Sequence, residues 1–209
     1  MIELLVVISV ALVFASLLLT YGFKSVDRAN EAKCLANLRQ IGVATALCLA
    51  DSDNSFPQQG GGPVGPPGRT WWGDLIPYLS WSAEKNFASP TTAEGTIGHC
   101  PSHRENPGSF SYVPNINVIR TPDMSALKMS AVSKPSQVVY VWEIFTVSWW
   151  PNSGSSSIRG RAPFYGSRTK TGFLGTHADK INYLFLGGNV APYSVNEHMP
   201  ETVTFSPTL

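Results

Sequence analysis

Hydrophobic and polar positions divide the chain into distinct stretches. From Leu4 to Phe23 there are 20 consecutive uncharged residues, nearly all apolar. As a helix this stretch spans about 30 Å, the hydrocarbon thickness of a bilayer. Lys24, Asp27, Arg28, Glu31 and Lys33 follow at once, so the apolar run ends sharply. Beyond it Cys34, Leu38, Ile41, Thr45 and Cys48 recur at spacings of four and three, which draws one stripe along a helix. No Pro precedes Pro57, and good helix formers fill the interval from Ala29 to Gln40. The pattern predicts one helix running unbroken to about Ala50, roughly 75 Å in all. Its first half is apolar all round, and its second half is amphipathic and needs a domain to cover it. Asp51-Ser52-Asp53-Asn54 ends it.

The rest of the chain reads as strands and loops. Pro57 to Thr70 holds nine Gly or Pro among 14 residues, which suits a surface loop and no regular element. Val138-Val139-Tyr140-Val141-Trp142 reads as a buried strand. Ile181 to Leu186, Gly187-Gly188 and Asn189 to Ser194 read as a β-hairpin with a short Gly turn. Trp149 to Ser157 looks like another exposed loop. The expected class is α+β, a small antiparallel sheet laid on the amphipathic half of the long helix. Residues 1–23 are its membrane or core-forming part, and residues 24–209 a globular head that includes helical residues 24–51.

Composition sharpens this reading. Lys and Arg number 15 against 14 Asp and Glu, a net charge of +1, so no basic face for nucleic acid is expected. An acidic disordered tail is excluded as well, and 43% apolar residues suffice for a core. Charged residues make up only 14% of the chain, about half the usual share. That is expected of a surface covered by copies of itself. A cleaved signal peptide would show a basic leader, a shorter apolar core and a small-residue cleavage site. The start of the chain shows none of these, and the expectation is a retained membrane helix. Glu3 stands at the beginning of the apolar run, where a lone carboxylate is costly to bury. It is either interfacial or paired with a cation at the same depth, the nearest candidate being an α-amino group of this or a neighbouring copy.

Candidate chemistry is sparse. Cys34 and Cys48 lie on one helix face about 21 Å apart, beyond disulfide reach, whereas either can meet Cys100. His99-Cys100-Pro101-Ser102-His103 places three potential zinc ligands in five residues, with His177 and His198 elsewhere. A disulfide at Cys100 would consume one of them, and no metal is expected. A Cys100/His nucleophile lacks an orienting third group and an oxyanion loop. Asp51, Asp53 and Asn54 lack the alternate oxygen ligands of a calcium loop and fit helix termination better. No phosphate-cradling Gly loop follows a strand. No enzymatic activity and no cofactor are expected.

Seven segments, taken in order, resemble one bacterial family. Met1-Ile2-Glu3-Leu4-Leu5-Val6-Val7-Ile8 resembles the N-terminal methylation motif of type IV pilins and pseudopilins, Phe-Thr-Leu-Ile-Glu-Leu-Leu-Val-Val-Ile. Cys34-Leu35-Ala36-Asn37-Leu38-Arg39-Gln40-Ile41-Gly42 and Asp51-Ser52-Asp53-Asn54-Ser55-Phe56-Pro57 are similar to segments of its branch with a processing-associated C-terminal motif. Trp72 with Leu75-Ile76-Pro77-Tyr78, then Cys100-Pro101-Ser102, then Ser111-Tyr112 with Asn115 continue the order. His177, nine residues, then Gly187-Gly188-Asn189-Val190 stands where the family has His, nine residues, Asp-Gly-x-Val.

The resemblance implies a type IV pilin-like fold and a Cys34–Cys100 disulfide, with Cys48 a buried small hydrophobe. It further implies a structural subunit of an extracellular pilus-like filament, held in the inner membrane before assembly. Its partners would be many copies of itself, the assembly machinery and a prepilin peptidase, with Met1 as the amine, methylated by that peptidase, that meets Glu3. A pseudopilin of a type II secretion system is the alternative, and a membrane-anchored extracytoplasmic ligand-binding protein the alternative of another class. Three departures stand out: two residues fewer before Met1 with no leader, Thr20 in place of a helix-kinking Pro, and Gly187 in place of the motif's Asp. Gly187 weakens any argument that this motif binds a metal.

Overall fold

In the computed structural model the described residues are 2–58, 71–79, 95–103, 111–115, 117–119, 125–143, 177, 180–194, 203–204 and 206–207. The chain is α+β, with one long helix and a four-stranded antiparallel sheet. Helix α1 covers Ile2–Asp51. A short helix α2, Trp71–Leu75, runs into a 3-10 turn, Ile76–Tyr78. The strands are β1, Tyr112–Pro114; β2, Val139–Glu143; β3, Lys180–Phe185; and β4, Val190–Ser194, in spatial order β1-β2-β3-β4.

The amphipathic stripe lies where its spacing places it. Cys34, Leu38, Ile41, Thr45 and Cys48 are all buried, and Ala44 and Leu49 join them. The sheet face they meet carries Val138, Tyr140, Val141, Leu184 and Leu186, with Trp71, Trp72 and Phe56 closing one end of the core. Gly42 permits the close approach: a Cβ there would stand 3.1 Å from Leu184 Cδ1. On the other face of the sheet Val139, Trp142, Ile181, Tyr183 and Phe185 form a second, smaller cluster. Strands buried on both faces lose simple alternation and read as continuous apolar runs, as Val138 to Trp142 does.

A register shift between Val139 and Val141 breaks the pairing of β2 with β3. Asn115, just past β1, holds the shifted segment from the other edge of β2. Its side-chain amide donates to Val139 O at 2.7 Å and its backbone N–H to Tyr140 O at 2.7 Å. The hairpin forms with a four-residue connection, Leu186 to Asn189, wider than the two-glycine turn expected. Gly188 adopts φ +83° and donates to Phe185 O at 2.9 Å. Helix α1 ends on two consecutive left-handed residues, Asp53 at φ 51° and Asn54 at φ 56°. Asn54 N–H reaches back to Leu49 O at 2.9 Å, Asp51 accepts from Tyr78 OH at 2.8 Å, and Asp53 pairs with Lys128. Termination and turn formation therefore occupy the acidic cluster, as its composition suggested.

Along the first part of α1 the side chains of residues 3–16 are exposed. Among the described residues no helix is long and apolar enough to cross a membrane. The apolar run expected to do so, Leu4 to Phe23, includes residues 17–23, whose side chains lie outside the described ones. Met1, His198, the Gly/Pro-rich stretch from residue 59 and the segment Trp149–Ser157 also lie outside them.

Candidate functional site

The chemistry-bearing side chains gather where α1 crosses one end of the sheet. Cys34, on the buried stripe, is joined to Cys100 by a disulfide with a Cα–Cα distance of 5.1 Å. Cys48, four spacings further along the same stripe, is buried and takes no part in a disulfide. The bridge spans 66 positions of sequence and ties the helix to the segment before β1.

Three polar residues surround this disulfide, and all are buried: Glu143, His177 and Asn182. Glu143 ends β2 on the face that carries Val141, so its carboxylate points at the helix and not at solvent. The register that pairs Trp142 with Tyr183 brings Asn182 opposite it. The Asn182 backbone N–H donates to Glu143 Oε2 at 3.0 Å, and its side-chain amide donates to Oε1 at 3.1 Å. His177 precedes β3 and is tied to it by the Lys180 N–H bond to its carbonyl at 3.1 Å. Its Nε2 lies 3.4 Å from Glu143 Oε1 and 3.5 Å from Cys100 Sγ.

A second polar layer supports the first. Ser111 Oγ accepts from Cys100 N–H at 3.0 Å and sits 3.1 Å from His103 Nδ1 and 3.3 Å from His99 Nδ1. The rings of His99 and His103 stack with centroids 5.8 Å apart. Asn37, on α1, donates to His99 O at 3.0 Å and to Tyr112 OH at 3.3 Å. Tyr112 pairs across the sheet with Glu143. Burial, and then the charge of Glu143, hold its phenol well above the ordinary tyrosine value, against a smaller opposing effect of the Asn37 hydrogen bond.

The structure thus unites Cys34, Cys100 and His177, with Asn37, His99, His103, Ser111 and Tyr112 in the layer beside them, and separates them from Glu3, Cys48, Gly187 and Gly188. Gly187 and Gly188 lie at the far end of β3 from His177, roughly 20 Å of strand away. The nine intervening residues include all six of β3, so the motif sets a His before one end of that strand and a turn just past the other. A Cβ on Gly187 would meet the Ser136 backbone at 3.0 Å, so the chain has packed this position against the turn at Pro135–Gln137. His99 and His103 converge on Ser111 and not on the sulfur of Cys100. Glu3 lies exposed on the first turn of α1. A cleft of about 400 Å³ at the end of α1, lined in part by Cys48, Ser52, Asp74 and Tyr78, is remote in sequence from all of these.

Glu143, Asn182 and Ser111 carry most of the site's polar geometry, and only Ser111 belongs to a segment the motifs single out. The missed signal is positional. Asn182 interrupts an apolar strand at a position facing the same side as Leu184, and Glu143 closes an apolar strand without any break in burial. Compared with known proteins, the chain matches no family model, no curated protein and no solved structure.

Proposed function

We propose that this chain is a structural subunit, of the major-pilin kind, in an extracellular bacterial type IV pilus-like filament. The observation that carries the reading is the division of α1. Its second half is buried against the sheet, whereas its first part presents apolar side chains to solvent on every side, Leu4 at 70%, Leu12 at 69% and Phe14 at 63% exposure among them. Exposed apolar surface of this extent marks a face that something apolar covers. Before assembly the cover is the inner membrane, and after it the helices of neighbouring copies. Contacts of this kind are head-to-tail and do not close, so they build helical filaments and not rings.

Glu3 supplies the register. Inside a bundle of apolar helices an unpaired carboxylate is destabilising by several kcal/mol, and the amino terminus of an adjacent copy neutralises it at one axial offset only. The disulfide and the polar cluster beneath it fasten the helix to the head, so that the sheath follows the core. The role is mechanical and requires no reaction at the cluster.

The test is a Glu3→Ala variant expressed beside the unaltered chain. The variant is expected to insert and fold normally, by protease resistance and disulfide state, and to yield few or no filaments in sheared surface material. Filament yield equal to the unaltered chain would overturn the register mechanism. Long filaments fit a pilus, and short periplasmic stubs a secretion pseudopilus.

A further inference from the structure

The surroundings of the Cys34–Cys100 bridge hold more than a cross-link needs. A disulfide is apolar and sits well among apolar side chains, yet here a buried carboxylate and a buried imidazole are held against it. Burying those groups is costly unless they serve one another or a third party. Cys34, Cys100, Glu143 and His177 each offer a ligand atom, and the four atoms lie within 4.8 Å of one another. Two sulfurs, one imidazole nitrogen and one carboxylate oxygen are a donor set that zinc accepts.

The spacings fit a tetrahedral ion. With bonds of about 2.0–2.3 Å, neighbouring ligand atoms of a tetrahedral zinc centre stand roughly 3.3–3.8 Å apart. His177 Nε2 is already 3.4 Å from Glu143 Oε1 and 3.5 Å from Cys100 Sγ. Only the two sulfurs are too close, because they are bonded to each other. The outer support that zinc sites use to hold their ligands is also built: both Glu143 oxygens accept hydrogen bonds from Asn182. Asn182 is wholly buried, and its Oδ1 has no hydrogen-bond partner among the described residues.

We propose that reduction of the Cys34–Cys100 bond converts this cluster into a tetrahedral binding site for Zn²⁺, with Cys34 Sγ, Cys100 Sγ, His177 Nε2 and Glu143 Oε1 as ligands. A dithiol reductant supplies two electrons and two protons, leaves as its own disulfide, and Cys34 and Cys100 become thiols. Zn²⁺ then displaces both thiol protons to solvent as two Zn–S bonds form, and His177 Nε2 and Glu143 Oε1 complete the shell. The cross-link between helix and head is thereby kept in two chemical forms, a covalent one under oxidising conditions and a metal one under reducing conditions. This holds whether or not the chain forms filaments.

The test uses the full chain in detergent, reduced with a dithiol and freed of it without oxygen, then titrated with Co²⁺ and Zn²⁺. Expected are one cobalt per chain, a sulfur-to-cobalt charge-transfer band, the intense visible bands of tetrahedral cobalt, and displacement by one equivalent of zinc. The oxidised chain is expected to show none of these. His177→Ala and Glu143→Gln should each weaken binding, on the order of ten- to a hundredfold or more, while Cys48→Ser leaves it unchanged. Should reduction unfold the chain, zinc is expected to restore its circular dichroism. Absent charge transfer in the reduced chain, equal binding by the oxidised chain, affinity indifferent to His177 and Glu143, or a reduced chain that zinc fails to refold would each overturn the proposal.

Discussion

The disulfide is a covalent tie between the helix and the head. Closing a loop across 66 positions is worth about 4 kcal/mol in the chain-entropy model. Cys34→Ser or Cys100→Ser, measured by denaturant unfolding in detergent under oxidising conditions, is expected to lose an amount of that order, and Cys48→Ser far less. Asn182→Leu tests the polar cluster separately. It removes the amide that donates to Glu143 Oε1, and an under-satisfied buried carboxylate should cost about 1.5–3 kcal/mol. A loss below half a kcal/mol would mean that water or a moved side chain replaces the amide. At this scale the sequence was legible where a residue has few possible uses. Cys34 and Cys100 were marked by the family resemblance, and His177 by a motif of fixed spacing. Glu143 and Asn182 were not, because a strand pattern shows which face is buried but not that a carboxylate on it has found partners from another strand. The shift between Val139 and Val141, which decides the face Glu143 occupies, leaves no mark in the order of residues.

Elements record their packing in the residues that could not be otherwise. Asn54 holds a left-handed conformation at the end of α1, one that Asn tolerates and a β-branched residue does not. Asn54→Gly is expected to be neutral and Asn54→Val to cost about 1–2 kcal/mol. Gly187 is the instructive departure from the family pattern. Restoring its Asp, Gly187→Asp, drives a Cβ to 3.0 Å from the Ser136 backbone, and overpacking of this kind costs roughly 1–3 kcal/mol. A thermal melt unchanged by Gly187→Asp would show that the turn at Pro135–Gln137 yields freely. Tyr78 reports the end of the helix by pH. Its hydrogen bond to Asp51 pushes its pKa up to about 12, above the ordinary value of 10.0. The contact thus stabilises the fold fully below pH 10 and loses its effect as pH climbs from there through about 12. Asp51→Asn is expected to bring the tyrosine ring resonance of Tyr78 back toward an ordinary titration. The stripe on α1 was legible because helical spacing is strict. Strand β1 was not, because three residues ending in Pro114 carry too short a pattern to separate from a loop.

The whole molecule has one design problem, an apolar helix that its own head covers only in part. The amphipathic half has a second exposed side as well, with Val43 at 61% and Leu47 at 48% exposure one turn apart. If the helices bundle, that pair lies between subunits, and Leu47→Glu should reduce filament yield without lowering the melting temperature of the monomer in detergent. The α+β class and the helix-on-sheet arrangement followed from periodicity and apolar runs. The assembly does not follow from any feature inside one chain, since covering by lipid and covering by copies are alike to an exposed leucine. Electron microscopy of sheared cell-surface material, with this chain identified by a tag on the head, separates the two most directly. The expected result is helical filaments many subunits long, labelled along their whole length, with the N-terminal helices bundled at the centre. Tagged chains found only as monomers in the membrane fraction, with surface filaments absent or unlabelled, would contradict it.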